Sequence, residues 1–193
     1  MADKNYITMT SEQGKALWAK VNTQVDTYMG EEKGYSINVY FSDSYTKKLE
    51  KTFKDLIEEA KQSGEYVTAK GKPKEWREVP KSPIKVDEDG KKYVIFKTNH
   101  LDKDGNRKYV KVFDKFNRDL GNEVAIGNDS IVRISFSPSV YHLTSENCGV
   151  KCYLNAIQVI DLKIFSGGGN SGESYGFEAS TEFPGESDEE CPI

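Results

Sequence analysis

Hydrophobic and polar positions alternate most regularly between Gly127 and Leu162, GNDSIVRISFSPSVYHLTSENCGVKCYLNAIQVIDL. In Ile131 to Phe136, Val132, Ile134 and Phe136 alternate with Arg133, Ser135 and Ser137, the period of a half-buried strand. From Val150 to Leu162 both parities are apolar: Leu154, Ala156 and Ile160 on one, Tyr153, Ile157 and Val159 on the other. A strand apolar on both faces lies deep in a sheet or barrel. Pro138, Asn147 and Gly149 mark a polar connector between the two runs.

Upstream, Gly14 to Val21 reads as a first strand, with Leu17, Ala19 and Val21 against Trp18 and Lys20. Asn22 to Gly34 reads as a connection. Tyr35 to Phe41 is the second strand, with Tyr35, Ile37, Val39 and Phe41 on one face. The period then becomes helical over about residues 43–62: Ser42 and Asp43 offer capping oxygens, Leu49, Phe53, Leu56, Ile57 and Ala60 form one stripe, and Gly64 stops the helix. Lys47, Lys48, Lys51 and Lys54 in its early turns oppose the helix dipole, so packing of the stripe must hold it. Residues 65–90 read as a long basic loop around Trp76. Lys91 to Thr98 and Lys108 to Phe113 read as two strands of a hairpin turned at Asp104-Gly105. The expectation is a mainly β fold of about five to six strands with one main helix.

Composition adds charge. The 193 residues carry 27 Lys and Arg against 31 acids, a net charge of −4. The distribution is uneven: after Lys163 there is no base, and Glu173, Glu178, Glu182, Glu186, Asp188, Glu189 and Glu190 all lie there. Residues 1–163 are therefore net positive. Such an asymmetry suggests a polyanion-binding body with an acidic tail. The run Ser166 to Gly172 reads as a flexible linker, and the tail composition as disordered. No apolar run is long enough for a membrane span, and Met1 to Thr10 lacks the pattern of a signal peptide. The three cysteines, Cys148, Cys152 and Cys191, fit reduced cytoplasmic thiols. Cys148 and Cys152 with His142 nearby are read as one buried side chain and one loop thiol rather than a metal site.

The candidate chemistry is non-catalytic, with no cofactor and no metal. Neither histidine, His100 or His142, lies in a nucleophile, zinc or phosphate-loop motif, and Asp102, Asp104 and Asn106 read as a turn rather than a calcium loop. Lysines interleaved with rings instead suit single-stranded nucleic acid, where cations track phosphates and aromatic faces stack on bases. The rings are Trp76, Tyr93, Tyr109 and Phe113; the bases are Lys72, Lys97, Arg107 and Lys111; Trp18 with Lys20 forms a second wall. Two other readings stay open: a module whose basic face binds an acidic protein, and a metal-dependent nuclease using Asp87, Glu88 and Asp89.

Gly127 with Ser130-Ile131-Val132-Arg133, then Gly149-Val150, then Leu154-Asn155-Ala156-Ile157-Gln158-Val159, resemble the single-stranded-DNA-binding proteins of tailed bacteriophages. Asp129 stands where that family more often has glycine. The resemblance implies an OB-fold barrel over residues 1–165 and a Gly-rich linker with an acidic tail over residues 166–193. It implies a role in phage DNA replication, recombination and repair in the cytoplasm of the infected host. Single-stranded DNA is the expected partner. The tail, through Asp188, Glu189, Glu190, Pro192 and Ile193, is expected to recruit a phage DNA polymerase or helicase-primase and to screen the DNA groove. A homodimer is compatible with this reading.

Overall fold

The two apolar runs of Gly127 to Leu162 become the longest strands of the computed structural model, which describes residues 7–164. These are β8 (Ile131–His142) and β9 (Cys148–Asp161), paired antiparallel from Ile131↔Asp161 to His142↔Cys148. Val132, Ile134, Phe136, Val150, Leu154, Ile157 and Val159 are buried. The other strands, in chain order, are β1 (Met9–Thr10), β2 (Gly14–Lys20), β3 (Asp26–Tyr28), β4 (Glu31–Tyr40), β5 (Ile84–Val86), β6 (Lys92–Thr98) and β7 (Lys111–Phe113). Following hydrogen-bonded neighbours, β2, β4, β6, β9 and β8 return to β2 and close a five-stranded barrel. All contacts around it are antiparallel except β6 with β9. This is the OB-fold order of strands, a barrel closed through β2 and β8 with free edge left at its ends.

The sole helix among the described residues, α1 (Asp43–Gln62), lies between β4 and β6 in sequence. The Ser42 hydroxyl accepts from the Tyr45 amide at 3.2 Å. The stripe Leu49, Phe53, Ile57 and Ala60 is buried, as the periodicity predicts, together with Thr46. Phe41, Phe96 and Phe136 continue that packing edge-to-face into the barrel, with ring centroids 6.2 and 5.0 Å apart.

Several expectations are corrected. Pro138 is inside β8 rather than in a connector. Beyond Phe136, β8 has no strand partner on its outer edge among the described residues, the position where a missing N–H costs nothing. The predicted hairpin of β6 with β7 does not form. Asp102 does hold a tight turn, its Oδ1 accepting from Asp104 and Asn106 amides at 2.9 Å each. But β9 takes the edge of β6 and then that of β7, both in parallel. The stretch expected to be a bare connection before Gly34 carries the β3–β4 hairpin, turned at Met29-Gly30. Of the first expected strand Val21 is buried, but Ala16 is buried in place of Leu17 and Ala19; the register shift after Leu17 lets Ala16 and Val21, of opposite parity, both reach the core. Cys148 is the first residue of β9 and fully buried rather than a loop thiol, and burial pushes the Cys152 thiol up to about 12. The linker and acidic tail, including Cys191, lie outside the described residues.

Gly149 marks where the long basic loop meets the barrel. A Cβ there would stand 2.1 Å from the Lys81 carbonyl oxygen. The Lys81 amide donates to the Cys148 carbonyl and the Val150 amide to the Lys81 carbonyl, each at 2.9 Å. Only glycine permits this backbone approach. Asp129, at the other turn of the stretch, is left-handed at φ 65°, the conformation that glycine would supply.

Candidate nucleic-acid interface

Strand alternation decides which side chains leave the barrel. With Tyr35, Ile37 and Val39 of β4 and Val94 and Phe96 of β6 turned inward, Asn38, Tyr40, Tyr93, Ile95 and Lys97 must face outward. Trp18 joins them through a bulge in β2. The four residues of β2 from Leu17 to Lys20 lie opposite the three of β4 from Asn38 to Ser36, and Trp18 takes φ 48°. A left-handed non-glycine residue in a bulge is strained, and bulges re-aim side chains near functional surfaces. Asn128 supports the strain: its Oδ1 accepts from the Trp18 amide at 2.8 Å. The indole is left 56% exposed, edge-on to Tyr93 at 6.4 Å, and Tyr93 is in turn edge-on to Tyr40 at 6.0 Å.

Two hollows flank β6. One, of about 490 Å³, lies over Trp18, Lys20, Asp26, Asn38, Ile95 and Lys97. The other, of about 540 Å³, lies over Lys85, Ile95, Lys97, Tyr141, Lys151 and Tyr153. They share Ile95 and Lys97, so one surface runs from β2 across to β9. Lys151 stands over the Tyr153 ring at 4.5 Å and near the Tyr141 ring at 5.9 Å. Lys91 stands over Tyr40 at 4.3 Å. Rings and ammonium groups are thus interleaved across the face, each pair a cation–π contact.

The failed hairpin still brings the predicted residues together. Lys97 pairs with Tyr153, and Lys111 with Ala156, on the same edge of β9. Three residues of strand separate them, about 10 Å. The outward residues Tyr93, Ile95, Lys97, Lys111 and Phe113 therefore form one column, laid end to end rather than side by side. Phe113 is half-buried in it, and Lys111 pairs with Asp119 at 2.9 Å. Tyr109 is exposed, with the Arg107 guanidinium 5.8 Å from its ring. Arg107 is partly committed elsewhere, donating to the Tyr35 hydroxyl at 3.3 Å and the Asn22 carbonyl at 3.2 Å.

One acid sits within this surface. Asp26 accepts from Lys20 at 2.7 Å, from Lys97 at 3.5 Å and from the Ser36 hydroxyl at 3.3 Å. Burial alone would raise its pKa, but the hydrogen bond and charge of Lys20, reinforced by Lys97, hold it below the ordinary carboxylate value. At neutral pH Asp26 is a fixed anion between two of the cations. Asp87, a nuclease candidate, is instead a turn acceptor. It receives the amides of Asp89 and Lys91 at 3.0 and 2.7 Å and the Tyr40 hydroxyl at 2.6 Å. The Tyr40 hydroxyl is pushed up to about 12, chiefly by that bond. No grouping of three or more His, Cys, Asp or Glu able to hold a metal occurs among the described residues.

Trp76 and Lys72 lie apart from the column. Trp76 is half-buried, packed against the core cluster, and edge-on to Tyr66 at 5.4 Å and His142 at 4.7 Å. Around it the basic loop is fastened to the β8–β9 turn. Arg77 donates to the Glu146 carbonyl at 3.3 Å and Lys81 to the Asn147 side chain at 2.9 Å, and His142 Nε2 bonds the Glu75 carbonyl at 2.8 Å. Lys72 is exposed on a turn of that loop, its amide donating to Thr68. Sequence reasoning missed Tyr40 and Tyr141. Tyr40 falls on the outward parity of a strand already recognised, and that parity was its signal. Tyr141 lies beyond Pro138, where no strand was expected.

No protein-family model matches the sequence, and no curated protein matches it. Solved structures do match. The chain is similar to gp2.5, a single-stranded DNA-binding protein encoded by bacteriophage T7, with a TM-score of 0.66 at 20% identity over 94% of this chain and 100% of that one. It is similar to the single-stranded DNA-binding protein from bacteriophage Enc34, with a TM-score of 0.55 at 16% identity over 87% and 89%. The same Enc34 protein in complex with single-stranded DNA gives a TM-score of 0.57 at 15% identity over 82% and 89%. At these identities the likeness is one of fold: the chain is an OB-like barrel of the kind those three structures share.

Proposed function

We propose that this chain is a non-catalytic, sequence-independent single-stranded-DNA-binding protein of a tailed bacteriophage, acting in replication, recombination and repair. The observation that carries the reading is the continuous outer face of β2, β4, β6 and β9. It interleaves Trp18, Tyr40, Tyr93 and Tyr153 with Lys20, Lys91, Lys97 and Lys151. Every base has a π-face and every nucleotide a phosphate, so such a surface binds single strands without reading sequence. Strands two and three of an OB barrel are the usual binding face, and β4 and β6 occupy those places here. The similar structures, which include a complex with single-stranded DNA, support the same assignment.

Residues 166–193 serve as a regulatory tail. Their seven acids, through Asp188, Glu189 and Glu190, compete for the lysine face when DNA is absent, and Pro192 and Ile193 dock on replication proteins. The test is a titration of the full chain with oligo-dT. Trp18 fluorescence falls on binding, and affinity drops with salt at a slope of roughly 0.7 per phosphate contact. Absence of both quenching and a gel shift at low salt refutes the proposal. Removing residues 164–193 tightens DNA binding if the tail screens the face and leaves it unchanged if it does not.

A further inference from the structure

Beyond β7 the chain makes a turn that presents a ring to solvent. Phe116 is 67% exposed, an unusual state for a phenylalanine, and it is flanked by two cations. The Lys115 ammonium and the Arg118 guanidinium each lie 5.2 Å from its ring centroid. The turn is rigidly built. The Asp114 carboxylate accepts from the Phe116 amide at 2.8 Å, from the Arg118 amide at 2.9 Å and from Arg118 Nε at 2.6 Å. Asn117 takes φ 63°, and its side-chain oxygen accepts from Gln158 of β9 at 2.7 Å. Burial works against the Asp114 charge, yet Arg118 and the turn amides hold its carboxyl below the usual range, so the support is intact at neutral pH.

Position completes the argument. Because β7 continues the line of β6 along β9, this turn follows the column Tyr93, Ile95, Lys97, Lys111 and Phe113 at its far end. A strand of nucleic acid leaving the column meets Phe116 next. We infer that Phe116, with Lys115 and Arg118, is an outlying nucleotide site, in which the ring stacks on one base and the cations hold its phosphates. The inference rests on the reading of the barrel face as a single-strand surface and extends its footprint. A second copy of this chain is the rival occupant of an exposed ring, but two cations beside that ring fit a nucleotide, a flat base with a phosphate on its sugar, better than an apolar partner.

The test is a length series of oligo-dT from about 4 to about 16 nucleotides, the span of OB-fold site sizes. It compares the full chain, Phe116→Ala and Phe116→Trp. The expected result is that Phe116→Ala matches the parent on the shortest oligomers and falls about ten-fold behind on the longest. Phe116→Trp retains the long-oligomer affinity. An equal loss at every length places Phe116 in the main groove and overturns the inference. So does no loss at any length in a parent that binds, or a change only in oligomeric state. Failure of the parent to bind any length refutes the function itself, a separately readable result. Because Phe116 is solvent-facing, an unchanged melting temperature confirms that each variant is folded.

Discussion

The two tryptophans stand in similar sequence surroundings and have opposite fates. Trp18 lies beside Lys20 and Trp76 beside Arg77, and both stretches invite reading as nucleic-acid platforms. In the fold, Trp18 is raised on a strained bulge and left open above the lysines. Trp76 is closed in by Tyr66 and His142 and fastens a long loop onto the barrel. A ring becomes a platform when regular backbone beneath it is already satisfied and the ring face is not needed for packing. Around Trp76 the loop's backbone bonds close local turns, Thr68 with Lys72 and Tyr66 with Lys74, and the indole supplies the contact that reaches the barrel.

The sharpest test of that contrast is Trp76→Ala. Removing a half-buried indole that joins two rings and the core should cost about 2–3 kcal/mol, less than the roughly 3–5 kcal/mol of a fully buried aromatic. Thermal denaturation reads it as a lower melting temperature, while the folded fraction keeps its oligo-dT affinity. An unchanged melting temperature with weakened DNA binding would reverse the two roles. Trp18→Ala should do the opposite. One lost stacking platform weakens oligo-dT binding by roughly 10- to 100-fold, 1–3 kcal/mol, at a nearly unchanged melting temperature, since the exposed indole packs little and alanine keeps the same left-handed backbone. A filter-binding or anisotropy titration beside the melting curve separates the pair.

The same contrast explains what the sequence could disclose. Alternation in Val132, Ile134 and Phe136, and the stripe Leu49, Phe53, Ile57 and Ala60, are local patterns fixed by burial, and they place the first half of β8 and α1. Parity alone puts Tyr93, Lys97, Lys111 and Phe113 on outward faces, and they lie there although the hairpin expected to unite them is absent. Asp104-Gly105 is a local turn signal, and it cannot reveal that β9, which begins 43 residues after Gly105, competes for both strands. Asn128 shows the same limit. It belongs to the stretch that anchors the barrel, and nothing local to it tells that its amide oxygen holds the Trp18 backbone in place.

Asp26 sharpens the comparison on the charged side, because it ties up Lys20 and Lys97 beside the exposed tryptophan while, among the described residues, no acid forms an ion pair with Lys151. Asp26→Asn should strengthen oligo-dT binding by up to about ten-fold at low salt, with a steeper salt slope by as much as about 1.4, two contacts at 0.7 each. The pH dependence follows from the sign of the shift. A carboxyl lowered by cations stays ionised through the neutral range, so the difference between parent and variant persists there. It closes only as pH falls below the ordinary value of 3.8, when Asp26 itself becomes neutral. A difference that vanishes near neutral pH would mean that Asp26 is not the anion responsible.

The smallest effect belongs to Lys151, and it decides whether the face extends as far as β9. Lys151 is exposed and poised over Tyr153, on the opposite side of β6 from Trp18. As a phosphate contact it carries no sequence information, so Lys151→Ala should weaken binding to oligo-dT and oligo-dC by the same factor. One fewer released counterion lowers the salt slope by about 0.7, which is about five-fold in affinity near 0.1 M salt. A slope unchanged from the parent would confine the path to the hollow between Trp18 and Lys97. A reduced slope requires the strand to cross β6 and reach the hollow over Lys151 and Tyr153.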